Sequence, residues 1–321
     1  MAELSDGSDG VSLVARFNGT TFRGAPIATQ RLPNRLSRPL NHLNFGDPVP
    51  IPLFPKISLT VTRILQLTDL HVFAEPQQQL KGIPTRECLE DVIAHIVATE
   101  APFDRVIITG DHTHDEQPAS YEAVRELLSP WHHRLWQVPG NHDDRRILRD
   151  TFHDRVSGDG DERITFHFSV GPWLCAGLDT HVPGEVSGEI DADQIRQWKQ
   201  LLKESPAERI ALFLHHPPID VDSIWMDQIG LSGREMLHEL VEDDRRIKLI
   251  CCGHVHHEFE GMLEHAEVFA TPATGIQFDP VGEEPNFATA APGYRVIEFD
   301  GKWHSTHVVR LPETKYSPVT D

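Results

Sequence analysis

Val138-Pro139-Gly140-Asn141-His142-Asp143 is the stretch that decides how this chain is interpreted, because it closes an apolar run with a polar turn. A Gly-Asn pair alone is ordinary turn chemistry. Four further polar signatures also come directly after short apolar runs. They are Asp69-Leu70-His71, Gly110-Asp111, His215-His216 and Gly253-His254-Val255-His256. This repetition indicates a single site assembled where several strands end.

The runs before these signatures alternate with segments of helical periodicity. Strands are predicted over residues 61–68, 105–109, 134–138, 165–178, 209–214, 247–252, 268–271, 294–299 and 303–309. Helices are predicted over residues 85–99, with Thr85 as a cap, and over 121–128, 191–203 and 233–241. Such alternation predicts an α/β fold with an open sheet and crossover helices. In these sheets the functional crevice lies beyond the carboxyl ends of the strands, which is where all the signatures fall.

Charge and hydropathy exclude several classes of partner. The 321-residue chain carries a formal net charge of -20, so we expect it to bind neither nucleic acid polymers nor anionic membranes through a basic surface. No apolar run is long enough to span a bilayer, and residues 1–10 do not resemble a signal peptide. The cysteines form neither a disulfide framework nor a CxxC zinc pattern, which predicts a cytoplasmic location.

The chain divides into three predicted parts. Residues 1–60 contain no acidic residue between Asp9 and Asp47, are rich in proline and lack periodicity. We expect an N-terminal arm there that is poorly structured or laid over the core, unless the true start site lies later. Residues 61–311 form the predicted catalytic domain, and residues 312–321 a C-terminal tail.

The signatures together supply oxygen and nitrogen donors without a thiolate. The candidate metal ligands are Asp69, His71, Asp111, Asn141, His215, His254 and His256. Each signature has a plain structural alternative, such as a helix cap, a turn or entry into a loop. Jointly, they exceed the needs of one tetrahedral ion and suit two ions bridged by a carboxylate. Such donors suit manganese, iron or zinc rather than a soft metal.

The charge of such a centre favours a phosphodiester. Two divalent ions, two carboxylates and a bound hydroxide sum to about +1, which matches the single negative charge of a diester. The hydroxide would be the nucleophile. His142 directly follows a candidate ligand, so its ring is the candidate catalytic group that protonates the leaving oxygen or stabilises phosphoryl charge. Asp143 is expected to orient the turn.

The order D-x-H, G-D, G-N-H-D, H and G-H-x-H resembles the calcineurin-like metallophosphoesterases. Four further stretches resemble the class III bacterial 3′,5′-cyclic-AMP phosphodiesterases within that family. They are Thr68-Asp69-Leu70-His71-Val72-Phe73-Ala74, Ser223-Ile224-Trp225-Met226-Asp227, Ala270-Thr271-Pro272-Ala273-Thr274-Gly275-Ile276-Gln277-Phe278 and Ala291-Pro292-Gly293-Tyr294-Arg295. The likeness runs over about residues 61–311. His112 departs from it, because the family usually has an aliphatic residue after Gly-Asp.

The resemblance implies a four-layer αββα sandwich with two metal ions, commonly iron or manganese. The first ion would take Asp69, His71, Asp111 and His256, and the second Asp111, Asn141, His215 and His254. His215 is preferred to His216 because it directly follows the strand. The residues implied around the substrate phosphate are His71, Asp111, Asn141, His142 and His256.

The predicted activity is hydrolysis of 3′,5′-cyclic AMP to 5′-AMP by a metal-bound hydroxide, with a small nucleotide as the substrate. Phe278 or Trp225 would pack against the purine, and Gln277 and Asn286 would read its edge. The alternatives are a broader phosphodiesterase for glycerophosphodiesters or other nucleotides, and a non-catalytic scaffold. A scaffold predicts broken ligand motifs, and all are intact. An oligomer is compatible with the sequence.

Overall fold

The computed structural model describes residues 61–100 and 102–319; the predicted arm over residues 1–60 lies outside this part of the chain. Its strands are β1 (Thr62–Leu67), β2 (Arg105–Thr109), β3 (Leu135–Val138), β4 (Phe166–Val170), β5 (Trp173–Gly177), β6 (Gly188–Glu189), β7 (Arg209–Phe213), β8 (Leu231–Ser232), β9 (Ile247–Cys252), β10 (Phe259–Leu263), β11 (Ala266–Ala270), β12 (Gln277–Asp279), β13 (Asn286–Ala288), β14 (Gly293–Asp300) and β15 (Trp303–Arg310). Its helices are α1 (Thr85–Thr99), α2 (Pro118–Leu127), α3 (Arg145–Thr151), α4 (Ala192–Glu204), α5 (Ile224–Asp227) and α6 (Arg234–Asp243).

Two large sheets carry the fold. The first has the strand order β15-β14-β1-β2-β3, and the second has the order β10-β11-β9-β7-β5-β4. Strands β1, β2 and β3 are parallel, as are β5, β7, β9 and β11. The antiparallel strands lie on one side of the first sheet, as β14 and β15, and at both edges of the second, as β10 and β4. The parallel strands of each sheet therefore end on one edge, where polar loops can meet.

Three apolar clusters hold the layers together. One lies between the sheets and includes Ile107 and Val138 from the first sheet and Phe213 and Leu249 from the second. A second cluster joins the other face of the first sheet to α1, α2 and α3, and a third joins the second sheet to α4, α5 and α6. The order of layers is helix, sheet, sheet, helix, so the predicted αββα sandwich is confirmed.

The helices follow from their apolar spacing and their caps. In α4, Ile195, Trp198 and Leu202 are buried on one face, and the Asp191 side chain caps the helix by accepting from Gln194 N at 2.8 Å. The sequence did not predict α3, a short helix. The mid-chain motif that resembles the family forms the single turn α5. In the described part of the chain, no helix is both long and apolar enough to cross a membrane.

The expected cap of α1 is wrong in its detail. Pro84 precedes the helix, and Thr85 already belongs to it. The Thr85 hydroxyl instead donates to the carbonyl oxygen of His71 at 2.7 Å. The helix start is thereby attached to the loop that carries a candidate ligand.

Candidate metal centre

The loops that carry the candidate ligands come together at the carboxyl ends of the parallel strands. Asp69 follows β1, Asp111 follows β2 and Asn141 follows β3, while His215 follows β7 and His254 follows β9. The loops after β1 and β2 are joined directly, since Asp69 N donates to Gly110 O at 3.1 Å and Leu70 N to Asp111 O at 2.8 Å. Six of the seven predicted ligands are buried; Asn141 is partly exposed. The structure therefore brings the whole predicted set together.

Most of the candidate ligands also have an unusual backbone conformation. Five candidate ligands have positive φ, a region that non-glycine residues seldom adopt. They are Asp69 (53°), His71 (46°), Asp111 (53°), His254 (71°) and His256 (50°). Such conformations typically cost about 1–3 kcal/mol each and cluster at functional sites. The loops are therefore held in place by their surroundings, because local preference alone would not favour these conformations.

Two glycines allow the loops to approach each other. A Cβ atom on Gly140 would collide with Asp111 Oδ1, and one on Gly253 would collide with Thr68 Oγ1. Any larger residue would push the turn after β3 or the loop after β9 away from the site. The glycines in G-N-H-D and G-H-x-H are therefore required by close packing.

One group of donors lies around Asp69 and Asp111. His71 Nε2 is 3.1 Å from His256 Nε2 and 3.4 Å from Asp111 Oδ2. His256 Nε2 is 3.3 Å from Asp69 Oδ1. One donor atom from each of these four residues lies within 4.8 Å of the others. A cation that prefers nitrogen and oxygen ligands fits this group.

A second group adjoins the first through Asp111. The Asn141 side-chain oxygen is 3.0 Å from both His215 Nε2 and His254 Nδ1. His215 Nε2 is 3.5 Å from Asp111 Oδ2, the same oxygen that faces His71. That oxygen therefore lies between the two groups, as a bridging ligand would. His216 turns away, with Nδ1 on Thr180 Oγ1 at 2.8 Å and Nε2 on Val186 O at 3.0 Å.

The outward nitrogens of three imidazoles show which nitrogen is free to bind a cation. His215 Nδ1 donates to Thr109 O at 2.7 Å, and His254 Nε2 donates to Ile229 O at 3.2 Å. His256 Nδ1 donates to Ile276 O at 2.9 Å. Because a carbonyl only accepts, each outward nitrogen carries the ring proton and the inward nitrogen keeps its lone pair. The donor set thus fits two metal ions.

Burial adjusts the protonation of these donors. It lowers the pKa of His71 and His254 well below the usual value, which favours the neutral, metal-binding imidazole. Burial also opposes ionisation of Asp69, but His256 and His215 bring its pKa below the usual value. Burial raises the pKa of Asp111 to about 8, aided by the Asp69 charge and opposed by His142. Burial thus favours the neutral form of Asp111, and a nearby cation would favour the carboxylate instead.

His142 lies beside the donors. Its backbone N–H donates to Asp111 Oδ1 at 2.8 Å, and its ring lies edge-on to the His71 ring with centroids 5.0 Å apart. Its ring also stacks on His114 at 4.6 Å. A ring in this position borders the donor set and the neighbouring cavity.

Asp143 is buried beneath the turn and does not line the cavity. Its carboxylate accepts hydrogen bonds from Gly140 N at 2.9 Å, from Tyr121 Oη at 3.1 Å and from His112 N at 3.1 Å. Burial opposes ionisation, but His112 outweighs it and lowers the pKa of Asp143 to about 2. His112 itself is buried between Asp143 and Gln137. The unusual residue after Gly-Asp therefore supports the turn.

A cavity of about 240 Å³ opens beside the donors. Its lining residues are His71, Leu80, Lys81, Asp111, His114, Asn141, His142, Val186, Trp225, Met226, Ile229, His254, His256, Phe278 and Phe287. Phe278 stacks on His256 with centroids 3.9 Å apart and meets Trp225 edge-on. A larger groove of about 900 Å³ near α2 contains none of the candidate ligands, so we place the chemistry at the smaller cavity.

Two of the expected base-reading residues do not line this cavity. Gln277 Nε2 donates to Ala273 O and Gly275 O, and its oxygen accepts from Arg310. Asn286 is exposed on β13 and lies outside the lining set. Val186, Ile229 and Phe287 were not anticipated, because Val186 and Ile229 lie on loops and Phe287 on the short strand β13, and none of these segments carries a polar motif. His257 also lies outside the cavity.

The site consists of two clusters of imidazole, carboxylate and amide donors that share one aspartate. They lie at the common edge of an αββα sandwich, and this arrangement is that of a dinuclear metallohydrolase type of site. The chain belongs to the calcineurin-like phosphoesterase family, a family of hydrolases, whose model matches residues 62–258.

Curated relatives and a solved structure agree with this assignment. The chain is 31% identical over 261 residues to the 3′,5′-cyclic adenosine monophosphate phosphodiesterase CpdA of Escherichia coli (strain K12), covering 80% of this chain and 93% of that protein. It is 29% identical over 258 residues to the protein of the same name from Vibrio vulnificus (strain CMCP6), covering 80% and 92%. A dimetal phosphatase from Danio rerio has a similar fold, with a TM-score of 0.57 at 14% identity, covering 78% and 98%.

Proposed function

We propose that the protein hydrolyses 3′,5′-cyclic AMP to 5′-AMP at a dinuclear metal centre. The observation that carries this proposal is the convergence of the seven candidate ligands, with one Asp111 oxygen facing both His71 and His215, beside a cavity with an aromatic wall. The names of the curated relatives support a cyclic nucleotide as substrate.

The donor geometry supports a specific division of ligands. Asp69, His71, Asp111 and His256 would hold one ion, and the second would be held by Asp111, Asn141, His215 and His254. Manganese or iron suits this set of oxygen and imidazole ligands, and zinc is compatible with it. When bound, such ions polarise a phosphoryl oxygen and make water acidic enough to supply a nucleophile near neutral pH.

The chain's own residues would orient the phosphate and assist the leaving group. His71, Asp111, Asn141, His142 and His256 border the space next to the donors, where a phosphodiester would lie. The His142 ring is beside the donors, and it is the proposed source of a proton for the departing O3′. Asp143 would act on the same step indirectly, because it fixes the turn that carries His142.

The aromatic wall of the cavity is the proposed seat of the nucleobase. Phe278 and Trp225 present apolar ring surface a short distance from His256. Stacking on an aromatic ring suits every purine, because each base has a π-face. The polar atoms of Gln277 are engaged elsewhere, so we expect weaker discrimination of the base edge than the sequence predicts.

The reaction can be tested with a panel of phosphate esters assayed with Mn²⁺ and with Fe²⁺. Cyclic AMP should yield 5′-AMP, and a reaction in ¹⁸O-water should place one solvent oxygen on phosphorus. The variant Asp111→Asn provides the matched inactive control. Intact cyclic AMP together with rapid cleavage of glycerophosphodiesters would instead establish the broader phosphodiesterase.

The proposal extends to the organisation and location of the chain. We assign catalysis to residues 61–311, with 1–60 as an arm and 312–321 as a tail. A chain that starts near Pro55 should therefore fold and keep its activity, which thermal unfolding and the same assay would check. The four buried cysteines are free thiols, which suits the proposed cytoplasmic location.

A further inference from the structure

His114 is a half-buried histidine in the wall of the candidate metal centre, three residues after the shared aspartate. Its backbone N–H donates to Val72 O at 3.2 Å, which fixes its loop to the loop after β1. Its ring contacts Phe73 with centroids 4.9 Å apart and stacks on His142 at 4.6 Å with an interplanar angle of 20°. The side chain is therefore held in a defined position.

The contact that matters is with His71. His114 Nδ1 lies 3.2 Å from His71 Nδ1, while the other nitrogen of His71 faces Asp111 and His256. In His215, His254 and His256, a backbone carbonyl receives the proton of the outward nitrogen. For His71, the group facing the outward nitrogen is a second imidazole.

The contact between His71 and His114 determines which ring nitrogen of each residue carries the proton. Two ring nitrogens 3.2 Å apart form a hydrogen bond only if one donates and the other accepts. His71 Nε2 can bind a cation only with its lone pair free, so the ring proton of His71 must sit on Nδ1. His114 Nδ1 must then accept, and the proton of His114 resides on Nε2.

We propose that His114 is a positioning residue that fixes the tautomer and orientation of His71 for metal binding, in the role that carbonyls play for the other imidazoles. This inference rests on the proposed metal centre. Partners that orient a ligating histidine typically contribute about 10–100-fold to metal affinity. Through its stack, the same ring also restrains His142.

Substitutions that remove the acceptor, the ring or both separate the hydrogen bond to His71 from the stacking contact with His142. His114→Phe keeps a flat ring against His142 but removes the acceptor, so the Kd for Mn²⁺ should rise about 10–100-fold. His114→Asn keeps an acceptor oxygen at the position of Nδ1 and should bind Mn²⁺ within about 3-fold of the parent. His114→Ala should lose affinity as His114→Phe does, and it serves as a second test should the larger ring disturb folding.

Calorimetric titration of the metal-free full chain with Mn²⁺ gives the affinities, and elemental analysis gives the stoichiometry. His167→Phe is the matched control, because His167 is exposed on β4. Turnover of His114→Phe should recover toward the parental value at saturating Mn²⁺. The titration contains no nucleotide, so its outcome is separate from whether cyclic AMP is the substrate.

Three outcomes would overturn the inference. Parental Mn²⁺ affinity in both His114→Phe and His114→Ala would show that no acceptor is needed at this position. Equal losses in His114→Phe and His114→Asn would assign the effect to packing. A third Mn²⁺ ion in the parent that every variant lacks would make His114 a ligand, since one of its ring nitrogens lies within 4.8 Å of nitrogens of His71 and His142.

Discussion

Replacing Asp143 with asparagine should destabilise the turn that carries Asn141 and His142. The buried carboxylate accepts from four donors, and each oxygen is the nearer acceptor of two of them; His112 N also lies 3.3 Å from Oδ2. Oδ2 accepts from Gly140 N at 2.9 Å and from His112 Nδ1 at 3.0 Å. Oδ1 accepts from His112 N at 3.1 Å and from Tyr121 Oη at 3.1 Å. Each oxygen therefore faces one backbone N–H, which cannot change its role.

These hydrogen bonds determine how much folding stability Asp143→Asn should lose. In Asp143→Asn, one oxygen becomes an amide group, and in either orientation that group faces a backbone N–H. A buried donor left without an acceptor costs about 1–3 kcal/mol, and breaking a buried charged pair costs about 3–5 kcal/mol. For domains of 150–250 residues, each kcal/mol lowers Tm by about 2–4 °C. The unpaired donor alone would lower Tm by about 2–12 °C, and loss of the charged pair would lower it by about 6–20 °C.

Calorimetry at neutral pH on the metal-free protein measures this directly. The control is Asp154→Asn, because Asp154 pairs with His132 at the surface and should change Tm little. A Tm of Asp143→Asn within about 2 °C of the parent would refute the reasoning, since a buried acceptor of four donors could not then be essential.

The pH dependence of Tm provides an independent check on the direction of the Asp143 effect. The pKa of Asp143 in the folded protein is about 2, below its ordinary value of 3.8, because His112 outweighs the effect of burial. A depressed pKa means that the carboxylate contributes its stability above pH 3.8 and loses it as the pH falls toward 2. The Tm difference between parent and Asp143→Asn should therefore shrink below about pH 4 and stay constant near neutrality.

Three further predictions follow from the site. Asp111→Asn should lose at least one metal ion per chain and nearly all turnover while remaining folded, and elemental analysis showing two ions in an active variant would contradict this. His142→Ala should keep both ions and lose about 10²–10⁴-fold in turnover, with a smaller loss on nitrophenyl esters, whose leaving group needs no proton. Residues 313–321 include Val319, whose backbone N donates to the carbonyl oxygen of Lys81, a residue of the cavity wall, at 2.8 Å. Removing these residues should therefore raise the KM for cyclic AMP while kcat stays near the parental value. An unchanged KM would show that residues 313–321 do not shape the cavity.

The sequence predicts the fold well, and it also predicts where the candidate ligands meet, for a physical reason. Every candidate ligand lies within a few residues of a strand end, and parallel strands bring their carboxyl ends to one edge. The bounds of β2 (Arg105–Thr109), β9 (Ile247–Cys252) and α1 (Thr85–Thr99) match the predicted ranges. A buried strand or an amphipathic helix leaves a pattern over many residues, so local sequence suffices to find it.

The cavity and the supporting contacts leave no such pattern. The carbonyls of Ile229 and Ile276 orient His254 and His256, but a backbone oxygen has no residue signature. Gln277 carries the right chemistry to read a base, yet its amide is engaged with nearby carbonyls and Arg310. Asp144 does cap α3 by accepting from Ile147 N at 2.9 Å, a signal that sequence reasoning overlooked.

The strained loops of the site depend on how rigidly the two sheets are joined beneath them. The buried Gln66 side chain on β1 donates to Thr109 Oγ1 at 2.9 Å and across to Cys252 O at 3.1 Å, while its oxygen accepts from Thr271 at 2.8 Å. Arg295 in turn donates to Thr271 Oγ1 at 3.1 Å. Gln66, Thr109 and Cys252 each stand two or three residues before a candidate ligand with positive φ. Because a buried network with its partners satisfied resists displacement, it fixes the distance between the ends of β1, β2 and β9. The fixed spacing of these strand ends is what allows left-handed residues to persist in three separate loops.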